Sequence, residues 1–304
     1  AGFYEPHSHR VVELDFCPIQ HPAGNRAVQA ARAALAELQI APYDEISHRG
    51  MVRHILSRVS FTTGELLLTL VTAQEQLPHT ARLVERLRAG IPELVGIVQN
   101  INTARSNTVL GNREKLLWGK PYLVEKLGGL SFRVSSRSFF QVNPVQAEVL
   151  YEKVLAYAGL TGTETVFDLY CGTGTIALYL ARKAKAVIGV ESAREAVRDA
   201  RANARLNGID NALFFEGRSE ELVPRLLQEG RRADVIVVDP PRKGCAAGLL
   251  QTMIAAAPRR LVYVSCNPAT LARDLKILET GSYRTVEVQP VDMFPHTSHV
   301  ECVV

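Results

Sequence analysis

Short apolar runs alternate with amphipathic segments throughout the second half of the chain. The apolar runs are rich in valine, isoleucine, leucine and phenylalanine, as strands buried on both faces are. They cover residues 165–169, 186–190, 212–215, 235–238 and 261–264. The segments between and after them have helical apolar spacing and predict helices over residues 175–182, 193–207, 220–228, 246–256 and 269–278. Strands that alternate with helices in this way form right-handed βαβ units, so the pattern predicts a parallel sheet with helices on both faces.

The last two apolar runs break this alternation. They cover residues 285–291 and 300–304, and the segment between them is too short for a crossover helix. Parallel neighbours need a crossover connection of a dozen or more residues. The pattern therefore predicts that the last two strands pair antiparallel.

The first part of the chain has a different pattern. Helical spacing predicts helices over residues 27–38 and 80–88, and two apolar runs flanking Thr63-Gly64 predict a hairpin. The remaining predicted strands lie at residues 94–99, 122–127 and 130–134. This order favours an α+β domain. Asn143 and Pro144 are a good N-cap and first helical residue, so a helix starts there, and we predict domains at residues 1–138 and 139–304.

Composition adds limits to this picture. The chain has 304 residues, 47% of them hydrophobic and 22% charged, which excludes global disorder and provides for a sizeable core. A net charge of +4 is compatible with a nucleic-acid partner but does not identify one. Five scattered cysteines without a close pair fit a reducing cytoplasm. The sequence contains neither a membrane-length apolar run nor a signal-peptide pattern, so we expect a cytoplasmic protein that binds no membrane.

Cys266 lies where a predicted strand gives way to a predicted helix that starts at Asn267-Pro268. A thiol at a helix N-terminus is close to unpaired backbone N–H groups and to the positive end of the helix dipole. We therefore expect the pKa of Cys266 to be lowered and its nucleophilicity raised. The alternative is that Cys266 is a small buried hydrophobic residue.

A glycine-rich turn follows the first strand of the predicted parallel sheet. Residues 168–177 contain a G-x-G-x-x-A pattern, whose glycines allow a tight turn and a close backbone approach to a ligand. Glu191 ends the next strand, where a carboxylate can accept hydrogen bonds from ribose hydroxyls. These features fit NAD or S-adenosylmethionine, and a purely structural turn remains the alternative.

The fourth strand of this sheet ends in Asp239-Pro240-Pro241, followed by Arg242 and Lys243. Ligands bind doubly wound sheets at the carboxyl ends of their strands. An Asp-Pro-Pro turn at this place is the pattern of enzymes that methylate nucleobases with S-adenosylmethionine, which favours that cofactor over NAD. The two cations are candidate phosphate contacts or ordinary solvated charges.

At this point the chain resembles the RNA uracil-C5 methyltransferase family, whose members make 5-methyluridine. The segments that carry the resemblance are residues 138–144, 168–174, 239–244, 265–268 and 295–301. The opening of the chain, from Gly2-Phe3-Tyr4 through Ser8-His9 to Cys17-Pro18, is similar to a segment of the branch that modifies 23S rRNA. The resemblance implies a class I S-adenosylmethionine-dependent methyltransferase domain, seven-stranded and Rossmann-like, that follows an N-terminal α+β domain.

The resemblance also implies site residues. Cys266 corresponds to the family's nucleophile and Glu301 to its general base. The family's cofactor contacts fall on Gln141, Tyr170, Thr175, Glu191 and Asp239. Thr175 occupies a position that is often asparagine in the family, which leaves its own role open.

Cys17 corresponds to the last cysteine ligand of an iron–sulfur cluster in the ribosomal branch. Its three partners would have to lie upstream of Ala1. Either this sequence is a piece of a longer protein that supplies them, in which case Cys17 is a metal ligand, or it belongs to a lineage without the cluster, and we expect no 4Fe-4S cluster in this chain itself. We expect a monomer whose partner is RNA, with 23S rRNA as the first choice and the T-loop uridine of tRNA as the alternative. Two other hypotheses remain open at this point: methylation of an exocyclic base nitrogen, and an inactive RNA-binding module of the same fold.

Overall fold

The computed structural model describes residues 2–5, 8 and 10–304. His9, part of the opening segment that resembles the ribosomal branch, lies outside the described residues. The chain divides into two compact units: an N-terminal unit of residues 1–125 with 133–137, and a C-terminal unit of residues 126–132 with 138–304. In the part of the chain that the structure describes, no helix is both long and apolar enough to cross a membrane.

The elements up to residue 135 form three sheets and two helices. They are β1 (Gly2–Tyr4), β2 (Val11–Glu13), α1 (Pro22–Glu37), β3 (Val52–Val59), β4 (Leu66–Thr72), α2 (Thr80–Gly90), β5 (Leu94–Ile101), β6 (Arg113–Gly119), β7 (Tyr122–Leu127) and β8 (Leu130–Ser135). The main sheet has the order β3-β4-β5-β6, in which only β4 and β5 are parallel. β1 pairs with β2, and β7 pairs with β8.

The predicted hairpin around Thr63-Gly64 is confirmed by the antiparallel pairing of β3 and β4. Gly64 has a φ of +72°, a conformation that glycine adopts without steric cost. Alternate residues of β4 pack into one core with alanines of α1 and leucines of α2, which explains why these helices form on this sheet. α1 begins at Pro22, five residues earlier than predicted, because the His21 side chain caps it by accepting from Ala23 N–H.

The remaining elements alternate between helix and strand. They are α3 (Pro144–Ala158), β9 (Thr165–Leu169), α4 (Thr175–Ala181), β10 (Ala186–Glu191), α5 (Arg194–Leu206), β11 (Ala212–Glu216), α6 (Ser219–Gln228), β12 (Val235–Val238), α7 (Ala247–Ala256), β13 (Arg260–Ser265), α8 (Pro268–Leu278), β14 (Gln289–Val291) and β15 (Glu301–Val303). Asn143 caps α3 as predicted, since its side chain accepts from Gln146 N–H at 3.2 Å.

The C-terminal unit is built on one seven-stranded sheet of order β11-β10-β9-β12-β13-β15-β14. The first five strands in this order are parallel, and β15 lies between β13 and β14, antiparallel to both. This arrangement confirms the predicted seven-stranded α/β fold and the antiparallel pairing of the last two strands. The strand predicted from residue 285 is wrong in its length: β14 begins at Gln289, and Val286 and Val288 before it are exposed rather than paired.

Candidate active site

The carboxyl ends of β9 and β12 border a pocket in the C-terminal unit. Four of the five residues to which the resemblance assigns a cofactor role line it: Gln141, Tyr170, Thr175 and Asp239. Parallel strands end at the same edge of a sheet, so residues far apart in the sequence meet here. Glu191 ends β10 and does not line the pocket.

The glycine-rich turn between β9 and α4 shapes one side of this pocket. Tyr170 has a φ of 64°, an uncommon left-handed conformation for a residue with a side chain, and its hydroxyl donates to Glu220 at 3.0 Å. Gly174 also has positive φ, and a Cβ there would lie 3.0 Å from the Phe214 ring and 3.1 Å from the Ala200 Cβ. The turn therefore needs its glycine for both its conformation and its packing.

Glu191 is held against the same turn. Its Oε2 accepts from Gly172 N–H at 3.1 Å, and its Oε1 accepts from Ala193 N–H at 2.7 Å and from the Ser192 hydroxyl at 3.1 Å. A carboxylate has about four acceptor sites, so one remains available to a ligand hydroxyl. The backbone bonds also fix the orientation in which Glu191 offers that site.

Thr175 opens α4 and is paired with a residue that the sequence did not reveal. The Tyr151 hydroxyl of α3 donates to the Thr175 hydroxyl at 3.1 Å, and Tyr151 is almost fully buried. Burial raises the pKa of Tyr151 far above its ordinary value. Nothing in the sequence singled it out, because a tyrosine on the apolar face of a helix is usually a core residue.

Asp168 is a second residue that sequence reasoning did not assign. It is fully buried in β9 and lines the pocket, and neither carboxylate oxygen has a hydrogen-bond partner among the described residues. Burial raises its pKa well above the ordinary value, and the carboxyl group of Asp239 raises it further. The available signal was a carboxylate in an otherwise apolar strand. A buried polar group without a partner is costly and suits a site that receives a ligand.

Asp239 follows β12 at the pocket edge. Burial raises its pKa to about 7, with a further contribution from Glu301. By surface area the residue is only half-buried, because it borders the pocket. Asp239 is therefore part protonated near neutral pH, and a cation bound in the pocket would favour its ionised form.

Cys266 directly follows β13, and Glu301 is the first residue of its antiparallel neighbour β15. β13 and β15 pair Val264 with Val303 and Ser265 with Cys302. Cys266 and Glu301 each lie one residue beyond the last of these pairs, and the two groups are close enough for the Glu301 carboxylate to act on the pKa of the Cys266 thiol. Glu301 is 4% exposed and Cys266 is half-buried. Burial raises the pKa of Glu301, as a group that removes a proton near neutral pH requires.

The expectation of a lowered pKa for Cys266 is wrong. Asn267 and Pro268 start α8 as predicted, but burial of the thiol raises its pKa, and the nearby carboxylates of Glu301 and Asp239 raise it further. The Cys266 backbone N–H and the Arg242 cation act in the opposite direction and are the weaker effects. A helix terminus supplies only about half an elementary charge, which burial and two carboxylates outweigh.

Arg242 is a cation that acts on both the Cys266 thiol and the Glu301 carboxyl group. It lowers the pKa of Cys266 and of Glu301, and its guanidinium lies 3.2 Å from the ring nitrogens of His299. Arg242 and Lys243 are both exposed, so they are accessible to an anionic partner.

Cys17 lies outside the C-terminal unit and is half-buried. Its backbone N–H and carbonyl both bond to the Asn25 side chain, at 2.9 and 3.0 Å. Within the described residues there is no group of three or more His, Cys, Asp or Glu side chains that could hold a metal ion.

The fold is that of S-adenosylmethionine-dependent methyltransferases. A solved structure at low identity shows the same fold: P. horikoshii TYW2 in complex with MeSAdo, 14% identical, with a TM-score of 0.52 over 90% of this chain and 96% of that one. A model of the tRNA (Uracil-5-)-methyltransferase family matches residues 30–304. The chain belongs to this family, which confirms the resemblance to the RNA uracil-C5 methyltransferases but does not identify the branch that modifies 23S rRNA.

Two other proteins have a higher sequence identity to this chain. An uncharacterised RNA methyltransferase of Halalkalibacterium halodurans is 51% identical over 303 residues, covering 100% of this chain and 66% of the relative. This chain therefore spans about two thirds of the relative's length. The crystal structure of the Pyrococcus abyssi tRNA (uracil-54, C5)-methyltransferase in complex with S-adenosyl-L-homocysteine is 31% identical, with a TM-score of 0.84 over 99% of this chain and 71% of that one.

Proposed function

We propose that the protein transfers a methyl group from S-adenosylmethionine to carbon 5 of a uridine in RNA, through a covalent bond between Cys266 and carbon 6. The observation that carries this proposal is that the Cys266 thiol lies within electrostatic reach of two carboxyl groups, that of the buried Glu301 and that of Asp239, which lines the pocket. Methylation of an exocyclic nitrogen would use the Asp239 turn but would give neither Cys266 nor Glu301 a role.

Carbon 5 of uracil is a weak nucleophile and needs activation. The Cys266 thiolate adds to carbon 6, and the electron pair of the 5,6 double bond moves toward carbon 5 and O4 as an enolate. Carbon 5 then takes the methyl group. This nucleophilic catalysis divides one difficult step into easier ones. A uracil stacked in a helix hides both carbons, so the target base must be unpaired or flipped out.

Glu301 acts after the methyl group has been transferred. Its carboxylate removes the proton from carbon 5, the electrons of that C–H bond re-form the 5,6 double bond, and the bond from carbon 6 to Cys266 sulfur breaks. The thiolate is thereby regenerated. Because burial raises the pKa of Glu301, it is a stronger base than an exposed carboxylate and suits this step near neutral pH.

The Cys266 thiol needs help to ionise, since its pKa is raised. Arg242 supplies one favourable charge. A cationic ligand at Asp239 would supply another by offsetting a carboxylate that now opposes thiolate formation. We therefore expect the thiol to become more reactive when the cofactor binds.

The pocket residues fit S-adenosylmethionine. Asp168 offers a buried carboxylate without a partner, which suits a cationic ligand, and Glu191 has an acceptor site left for ribose hydroxyls. Gln141, Tyr170 and Thr175 line the same pocket as Asp168, whereas Glu191 lies outside the lining and is bonded to the glycine-rich turn that borders it. The cofactor supplies an electrophilic methyl group on a positively charged sulfur.

Two observations bear on the class of RNA that is the substrate, and each favours a different candidate. The opening segment that contains Cys17 is similar to the branch that modifies 23S rRNA, and we propose 23S rRNA as the substrate of a cytoplasmic, monomeric enzyme. The T-loop uridine of tRNA is the second candidate, favoured by the likeness to the Pyrococcus abyssi tRNA enzyme over 99% of this chain. Mapping 5-methyluridine in rRNA and tRNA from cells that lack the gene separates the two. Loss from tRNA alone would overturn the ribosomal choice.

The covalent step has its own test. RNA with 5-fluorouridine at the target has no carbon 5 proton to remove, so the adduct with the parent protein should persist as a slowly migrating band. Cys266→Ala should give no band and no methylation, while Cys17→Ala is the matched control and should retain both. An adduct or methylated product with Cys266→Ala would show that another group is the nucleophile.

A further inference from the structure

One face of α8 holds the loop that follows Asp239. The side chains of this face come from Asn267, Thr270, Arg273 and Asp274, a spacing that places them along one side of a helix. All four bond to residues 242–245, which connect the Asp-Pro-Pro turn to α7. α8, which follows Cys266, is therefore hydrogen-bonded to the loop that follows Asp239.

Three side chains of this face form hydrogen bonds to the backbone carbonyls of Arg242 and Lys243. The Asn267 side-chain amide donates to the Arg242 carbonyl at 3.1 Å, and the Thr270 hydroxyl is shared between the Arg242 carbonyl and the Asn267 carbonyl, each at 3.1 Å. The Arg273 guanidinium donates to the Lys243 carbonyl at 2.8 Å. These bonds use carbonyl groups, so they fix the path of the loop and leave the side chains of Arg242 and Lys243 exposed.

Asp274 makes the deepest contacts of this face. It is fully buried, and its Oδ2 accepts from Cys245 N–H at 2.8 Å and from the Tyr263 hydroxyl at 2.6 Å. Its Oδ1 accepts from Arg273 Nε at 2.8 Å. Gly244 has a φ of +75°, and a Cβ there would lie only 2.5 Å from Asp274 Oδ2. Glycine is therefore required for the loop to reach this carboxylate.

Two of these residues, Tyr263 and Cys245, also link the loop to the glycine-rich turn between β9 and α4. The hydroxyl groups of Tyr263 and Tyr170 both act on the Cys245 thiol and lower its pKa, against the larger effect of burial. Tyr170, which lines the pocket, also bonds to Glu220 of α6. Buried polar groups connected in this way stiffen a structure when every member has a partner.

We propose that Tyr263, Thr270 and Asp274 are positioning residues, which hold the loop after Asp239 against the start of α8 and thereby fix the Cys266 thiol relative to the pocket. This inference rests on the proposed function. Methyl transfer requires thiol, base carbon and methyl donor to be aligned together. A misplacement of about 1 Å can cost on the order of a hundredfold in rate.

The test uses the double variant Tyr263→Phe/Thr270→Val, which removes two hydroxyl groups and changes little else in shape. The matched control is Tyr283→Phe/Thr252→Val. It removes the same two groups where they donate to the Pro258 and Gly248 carbonyls, both at 2.9 Å and outside these contacts.

Two readouts are measured on each protein: kcat and KM for S-adenosylmethionine in RNA methylation, and hydrogen exchange of the amides in residues 242–245. We expect kcat of the test variant to fall roughly tenfold or more at a nearly unchanged KM, because alignment is lost rather than binding. The Cys245 amide should exchange faster, and the control should match the parent protein in both readouts.

Three results would overturn the proposal: unchanged exchange in residues 242–245, faster exchange with an unchanged kcat, or an equal loss of kcat in the control. Thr270→Val alone serves if the double variant does not fold, and it should show the same changes to a smaller degree. If the parent protein methylates no RNA, the proposed function fails. Amide exchange in residues 242–245 then tests, without any activity, whether the side chains of Tyr263 and Thr270 stabilise this loop.

Discussion

Replacing Asp239 by asparagine is expected to reduce the loss of stability that the protein suffers as pH rises. The carboxyl group has an ordinary pKa of 3.8, and burial with the neighbouring Glu301 raises it to about 7. A group with a raised pKa in the folded state binds a proton on folding. Its stabilising contribution is fully present below about pH 4 and is lost as pH rises through about 7. Asparagine does not titrate and cannot contribute this change.

The size of the effect follows from the shift in pKa. One pKa unit corresponds to about 1.4 kcal/mol, so the full shift amounts to about 4 kcal/mol of the free energy of unfolding. Asp239 is half-buried at the pocket edge, and solvent there screens its interactions. We therefore expect the difference in unfolding free energy between Asp239→Asn and the parent to increase by roughly 2 kcal/mol between about pH 4.5 and pH 8.

Urea unfolding at a series of pH values measures this difference directly. Other carboxyl groups titrate in both proteins, so their contributions largely cancel in the comparison. Asp210→Asn, a change at an exposed aspartate, is the matched control and should run parallel to the parent. A difference between Asp239→Asn and the parent that stays constant within about 0.5 kcal/mol would show that Asp239 is well solvated and that its pKa is ordinary.

Three further predictions concern other carboxylates. Glu191→Ala should weaken S-adenosylhomocysteine binding by roughly 1.5–3 kcal/mol in calorimetric titration, because charge-assisted hydrogen bonds are lost. Unchanged affinity would argue against a contact between Glu191 and the ribose. Glu301→Gln should accumulate methylated RNA still bound to Cys266, visible by mass spectrometry, and release of free product at the parental rate would mean that another group takes the proton. Hydrogen bonds from Thr161, with Arg259 adding to them, lower the pKa of Glu164 to about 2. Glu164→Gln should therefore lower the thermal midpoint at neutral pH, and this deficit should shrink as pH falls from about 4.5 toward 2; a deficit independent of pH would contradict the shift.

Much of the C-terminal unit was predictable because its strands are buried on both faces. Residues 235–238 illustrate the reason: all four are buried, and a run of valine and isoleucine leaves few alternatives to a central strand. The Asn143 and Asn267 caps were also predictable, because each combines a side-chain acceptor with a proline at the first helical position.

The strands that escaped prediction lie at exposed edges. β6, Arg113–Gly119, begins with three charged residues and is mostly exposed, and it pairs with β5 on one side only. β1 and β2 are three residues long and exposed throughout. In such strands backbone pairing, rather than burial of an apolar face, determines the structure, and the sequence carries little trace of it.

The sequence pointed to some residues of the candidate site, but not to Tyr151 or Asp168 and not to its electrostatics. Strand ends locate Tyr170, Glu191, Asp239 and Cys266, because the carboxyl ends of parallel strands meet at one edge. The raised pKa of Cys266 is due first to burial and then to the carboxylate of Glu301, which lies 35 positions further along the chain on β15, the strand paired with β13. No local pattern around Cys266 encodes that neighbour.

The crowding of carboxyl groups at the pocket has a consequence for turnover. Asp168 and Asp239 are disfavoured in their ionised forms, and a positively charged ligand relieves this repulsion where a neutral one does not. Under the proposed function the methyl donor is a cation, while the product left after transfer has a neutral sulfur. The reaction would thus remove the charge that these carboxylates hold, and product release would be favoured without a moving lid. Since Asp239 takes up a proton below about pH 7, this preference for donor over product should weaken in mild acid.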